Sequence, residues 1–262
     1  MRELNLQKLK TEYRSDQDIL YFLEAGSEII ALNQYLGKKI TLEHTGQINC
    51  VNCERVTKKS FAQGHCYPCF KKLASCDMCL MKPETCHYDQ GTCREPQWGE
   101  ENCMIPHTVY LANSSGLKVG ITRGETPVNR WMDQGAIGGI PLATVEKRLD
   151  AGHLEVALKA HVADKTNWRA MLKGDVETID LEAARERLKE HIPVNVPCKI
   201  SDTPALEIKY PVLQHPEKVK SFNFDKDPTV SGVLHGIKGQ YLIFDTGVIN
   251  IRKFSGYQVR FS

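Results

Sequence analysis

A chain of 262 residues can form one large domain or two to three small ones, each with a real core. Its 41% hydrophobic and 25% charged residues read as globular, and a formal net charge of +2 excludes a strong overall basic bias toward nucleic acid. No apolar run approaches the roughly 18 residues of a transmembrane helix, and the N-terminal segment lacks an apolar signal core, so the expectation is a cytoplasmic protein with no membrane role.

Four blocks follow in chain order: 1–49, 50–104, 105–192 and 193–262. In the first, "DILYFLEAG" has strand character. In "KKITLEHTGQI", Ile40 and Leu42 alternate with polar neighbours, which predicts a strand leading into the cysteines.

Nine of the ten cysteines fall between Cys50 and Cys103. Without a secretory signal they are poor disulfide candidates, and the segment has too few aliphatic residues for a core of its own. Metal is the expected organiser. Cys50-x2-Cys53 and Cys66-x2-Cys69 are two knuckles separated by a spacer of twelve, which suits one tetrahedral four-thiolate zinc site. A third pair, Cys76-x2-Cys79, predicts a second structural zinc site, with Cys86 and Cys93 as its closing ligands. His87 and Cys103 are the alternatives there. Paired knuckles favour zinc over an iron–sulfur cluster, the competing reading. Lys58, Lys59, Lys71, Lys72 and Arg94 interleave with Tyr67 and Phe70. Two readings stay open: a surface that neutralises phosphates and stacks on bases of DNA or RNA, or a solvated face with rings packed on the metal sites.

The third block reads as α/β. Strands "TVYLA" and "LKVGIT" flank a Ser-Ser-Gly turn. "PVNRWMDQ" reads as a helix with Pro127 in its first turn, and "LATVEKRL" is ambiguous. "GHLEVALKAHVA" is helical, with Leu154, Ala157, Leu158, His161 and Val162 on one face. "DLEAARERLKEHI" is a surface helix with Asp180 as N-cap. Cys198, alone, reads as a buried small hydrophobe. The last block holds five short runs separated by Gly, Pro and Asp, which predict a small β-barrel with the N-terminal strands as candidates to complete it. The fold class is therefore α+β: a zinc-knuckle segment, an α/β domain and a barrel.

No glycine order suits a Walker or dinucleotide loop. The polar succession of block three is more specific: Tyr110 on the first strand, Lys118-Val119-Gly120 on the second, Arg130 on the following helix, then Glu155, His161 and Trp168. This order resembles the GIY-YIG nuclease superfamily, in particular its branch with a "KIG-x-T" second motif and a Glu-x5-His helix; Lys118 stands where the superfamily has a tyrosine. Over nearly its full length the chain also resembles a bacterial family of unknown function, DUF2797, through "QGHCYPC", "GTCREPQWGEE", "VYLA", "KVGIT", "RWMDQGA", "DKTNWR" and "GIKGQYLI". That second resemblance implies no activity.

The nuclease resemblance implies phosphodiester hydrolysis. Glu155 would hold Mg²⁺ or Mn²⁺, and Arg130 would bind the scissile phosphate. Tyr110 would orient or deprotonate the attacking water, and Lys118 would contact phosphate or act as base. Plainer readings stand beside each role: Tyr110 as a core aromatic, Glu155 and Lys159 as a surface pair, Arg130 paired with Asp133 or Asp150. Three classes compete: a metal-dependent nuclease, a non-catalytic zinc-stabilised nucleic-acid binder, and a protein–protein adaptor. Oligomeric state is not readable from the residues.

Overall fold

The computed structural model describes residues 2–25, 28–162 and 165–262. The chain begins with β1 (Arg2–Asn5), β2 (Lys10–Glu12), β3 (Leu20–Ala25), β4 (Glu28–Ala31), β5 (Lys39–Ile48) and α1 (Tyr67–Lys72). The middle contains α2 (Pro96–Asn102), β6 (His107–Asn113), β7 (Leu117–Arg123), α3 (Val128–Asp133), β8 (Gly138–Val145), α4 (Arg148–Leu158), α5 (Trp168–Lys173) and α6 (Leu181–Lys189). Strands β9 (Lys199–Ile200), β10 (Leu206–Glu207), β11 (Thr229–Lys238), β12 (Tyr241–Phe244), β13 (Gly247–Asn250) and β14 (Tyr257–Phe261) complete it. Among the described residues no helix is long and apolar enough to cross a membrane.

These elements form two units. The first comprises residues 1–71, 172–174 and 209–262; the second, 72–171 and 175–208. The cysteine-rich segment is thereby divided, with Cys50 to Cys69 in the first unit and Cys76 to Cys103 in the second.

The first unit is built on an antiparallel six-stranded sheet in the order β1-β14-β5-β11-β12-β13, with a smaller sheet β2-β3-β4. Its strands form because they alternate. In β14, Tyr257, Val259 and Phe261 are buried while Gln258 and Arg260 are not. Leu42 of β5 pairs with Phe261 on one side and Val230 on the other, so the N-terminal strand lies at the centre of the C-terminal sheet.

The N-terminal strands do join this sheet, but the expected barrel does not exist. Among the described residues the sheet is open, with β1 and β13 at opposite edges. Closure needs the edge strands to meet at a fixed stagger. Here the β13 edge is covered instead by residues 220–222: Val248 N donates to Lys220 O at 2.8 Å and Phe222 N to Val248 O at 2.9 Å. An edge covered in this way has no groups left for a closing strand.

In the second unit, β6 pairs with β7 and lies alongside β8, which in turn pairs with β9 and β10. Val109, Leu111 and Val119 of the hairpin pack with Ile140 and Leu142 of β8, Leu154 and Leu158 of α4, and Leu181 and Leu188 of α6. Cys198 packs against this core as a small hydrophobe, but half-buried rather than buried. "LATVEKRL" resolves into the end of β8 and the start of α4. The helix α4 starts at Arg148 and stops at Leu158, so His161 is exposed rather than core-facing and stacks on His191 at 3.6 Å. Gly26 and Ala163, which end the strand and helix readings there, lie outside the described residues.

Candidate metal centre and the Tyr110 cluster

The four thiols Cys50, Cys53, Cys66 and Cys69 lie within 4.8 Å of one another, and the Cys53 and Cys66 sulfurs are 3.7 Å apart. Zn–S bonds of about 2.3 Å put tetrahedral sulfurs about 3.8 Å apart, so the cluster has the dimensions of a single-ion site. Local backbone bonds make it. Glu54 N donates to Cys50 O at 2.8 Å with Glu54 at φ 59°, which folds the first knuckle back. Phe70 N donates to Cys66 O at 2.9 Å, so the second pair opens α1.

The thiols are not equivalent. Burial pushes Cys50 up, but backbone N–H groups of Cys66, Cys53 and Asn52 outweigh it and bring the thiol down to about 6. At Cys69 the Asn52 amide pulls down, while burial and the three neighbouring sulfurs push up to about 12. Four thiolates cannot crowd together without a cation among them, and a thiophilic ion supplies it. The donor set fits zinc, and these four residues can hold it.

Around this cluster Phe61 lies 5.5 Å from Tyr67 and 5.6 Å from Phe70, and Tyr67 is 55% exposed. Lys58, Lys59 and Lys71 of the same unit are exposed. In the second unit Lys72 is exposed, whereas Arg94 is drawn to Asp77 at 2.6 Å.

The second half of the cysteine segment has a different arrangement. Cys79, Cys86, Cys93 and Cys103 line one cavity together with Asp77 and His87. Cys76, half-buried at the end of a 3-10 turn, is not among the lining residues. Asp77, Cys79 and His87 also place donor atoms within 4.8 Å of one another.

The hairpin residues are placed by strand register. Tyr110 is opposite Gly120 and Ala112 opposite Lys118, so Tyr110 and Lys118 share the face turned away from Val109, Leu111 and Val119. Gly120 is required there: a Cβ would lie 2.6 Å from the Tyr110 hydroxyl oxygen. Tyr110 is fully buried, edge-on to Trp131 at 5.9 Å, and its hydroxyl donates to Gln134 Oε1 at 3.2 Å. Burial pushes its phenol above the ordinary value. The nearby Arg130 guanidinium pulls back, with the Gln134 hydrogen bond, and the Glu155 charge adds to the rise.

Thus Tyr110, Arg130 and Glu155, from β6, α3 and α4, come within electrostatic reach of one another. Lys118, 4% exposed, donates to Thr166 Oγ1 at 2.9 Å. Glu155 makes the expected ion pair with Lys159, at 3.6 Å. Gln134 and Thr166 went unread in the sequence. Gln134 lies in a quoted motif, "RWMDQGA", but a glutamine carries no spacing signal; Thr166 meets Lys118 only through the fold.

A mixed α+β fold with a four-cysteine cluster suited to zinc defines the class. The model of a family described as a protein of unknown function, DUF2797, matches residues 37–259, and the chain belongs to that family. No curated protein and no solved structure matches it.

Proposed function

We propose that this is a zinc-stabilised cytoplasmic protein that acts on nucleic acid, with a GIY-YIG-like phosphodiester hydrolysis site in its second unit. One observation carries the reading. The Arg130 guanidinium and the Glu155 charge both reach the Tyr110 hydroxyl, although the three residues come from separate elements. The β6–β7 hairpin alongside β8, with α3 between β7 and β8 in the chain and α4 after them, also supports the resemblance.

In this reading water attacks phosphorus, the P–O bond to the leaving sugar oxygen breaks, and the products are a phosphate monoester and a hydroxyl. Arg130 binds the phosphate and offsets the added charge. Tyr110 is held protonated by burial, so it orients rather than deprotonates. Lys118 supplies a second cation on the same face. Glu155 is the one carboxylate of the set. It fits Mg²⁺ or Mn²⁺, which take few protein oxygens and complete their shell with water and phosphate. The ion would polarise the phosphate and stabilise the leaving oxygen.

Lys58, Lys59 and Lys71 beside exposed Tyr67 are the proposed electrostatic grip of the first unit, with Lys72 and Arg94 as that of the second. The near-complete burial of Tyr110 and Lys118 favours a second reading, a binder that does not cut.

The test is cleavage of single- and double-stranded DNA and RNA with Mg²⁺ or Mn²⁺. Glu155→Ala and Arg130→Ala should each lower the rate about 10²-fold or more while zinc content stays constant. Undiminished cleavage in both variants overturns the hydrolase. Salt-sensitive binding without cleavage establishes the second reading instead.

A further inference from the structure

Residues 73–104 hold almost no apolar core. Regular structure there is a set of three-residue 3-10 turns and the seven-residue α2. The buried apolar side chains of this stretch are Ala74, Cys79, Pro83 and Cys103, while Met78 and Met81 are 64% and 79% exposed. A segment so built needs a cross-link to hold one conformation.

Cys79, Cys86, Cys93 and Cys103 face one cavity. Their environment carries an unusual charge. Arg148, at the start of α4, is 8% exposed. It donates to Leu80 O at 2.8 Å, while its buried Nε has no hydrogen-bond partner. Among the described residues no carboxylate forms an ion pair with it. The acidic groups within electrostatic reach of it are the thiols of Cys103, Cys79 and Cys86. A buried guanidinium is costly without an anion. Its position is built in: Gly152, one turn along α4, approaches the Pro83–Glu84 backbone so closely that a Cβ would lie 2.3 Å from Glu84 N.

We propose that Cys79, Cys86, Cys93 and Cys103 form a second, all-thiolate metal centre whose negative charge is balanced by Arg148. Four thiolates around a dicationic core leave a net charge of −2, for zinc and for an oxidised four-iron cluster alike. Cys103 takes the place that sequence spacing gave to Cys76. Asp77 and His87 place donor atoms within 4.8 Å of the Cys79 sulfur, with His87 Nε2 3.8 Å from Asp77 Oδ2, and each also has a further partner. Asp77 accepts from Cys79 N at 3.3 Å and pairs with Arg94, and His87 Nδ1 meets Thr92 Oγ1 at 2.8 Å. They serve as surrounding support.

The centre is independent of the hydrolase reading, and its test does not use activity. Full-length protein, purified anaerobically from cells supplied with zinc and iron, is assayed for both metals and for acid-labile sulfide. A second zinc, or iron with sulfide, in addition to the Cys50-site zinc supports the centre, and the two results separate its forms. Cys103→Ser should lose that second complement and Cys76→Ser should retain it. Arg148→Met should lose metal to a competing chelator about tenfold more readily. In the unmutated protein, Cys86 and Cys93, both part-exposed, should resist alkylation until chelation. A single metal ion per chain overturns the proposal. So does loss in Cys76→Ser with retention in Cys103→Ser, or rapid alkylation of Cys86 and Cys93 in metal-loaded protein.

Discussion

Lys238 carries its ammonium into the interior of the first unit. It is 3% exposed, with Nζ 5.4 Å from the Tyr210 ring centre, and burial brings it from 10.5 down to about 8. The contact with the ring returns part of the desolvation cost. The remainder is a penalty that is full below pH 8 and fades as pH rises toward 10.5, because the folded lysine loses its proton before the unfolded one. Lys238→Met should therefore stabilise the protein at pH 7 by about 1–2 kcal/mol, read by urea unfolding. The gain should shrink between pH 8 and 10.5; a gain independent of pH would refute the charge argument. Nothing in "GIKGQYLI" marks this lysine as buried, since a lone cation in a strand is usually solvated. Arg148 was as invisible, although a glycine four residues on, Gly152, signals that this helix face meets another backbone.

At the scale of elements, local pattern carries most of the information. Asp180 caps α6 as its sequence predicts, accepting from Ala183 N at 2.9 Å. The hairpin is read correctly because alternation and a Ser-Ser-Gly turn are local. What pattern does not give is how closely elements approach. Helix α3 lays Trp131 on β8 at Gly139, where a Cβ would lie 2.3 Å from the indole. Gly139→Ala should cost about 1–3 kcal/mol of stability, measured by thermal or urea unfolding, because Trp131 is 2% exposed with no room to retreat. An unchanged midpoint would mean that α3 shifts freely over the strand. The same helix carries Arg130, and Gln134 at its C-terminus accepts from the Tyr110 hydroxyl.

At the scale of the whole molecule, stability is unevenly distributed. The first unit has a well-filled sheet, with Leu42, Leu234, Ile243 and Val259 buried, whereas the buried hydrophobic side chains of residues 50–70 are Cys50 and Cys66 themselves. Chelation of the zinc should raise amide exchange across residues 50–70 by orders of magnitude and leave β5, β11 and β12 protected. Equal protection with and without chelator would show that the knuckles fold without metal.

The sequence by itself determined the clustering of thiols, the two knuckles of the first site, and most strands and helices, because these depend on spacing along one short stretch of chain. Tertiary structure decided what joins distant residues. It placed β5 between β14 and β11, covered the β13 edge with residues 220–222 and left the sheet open. It lined one cavity with Cys79, Cys86, Cys93 and Cys103. Such outcomes follow from strand pairing and packing between residues as far as 219 positions apart, Leu42 and Phe261, for which periodicity carries no signal.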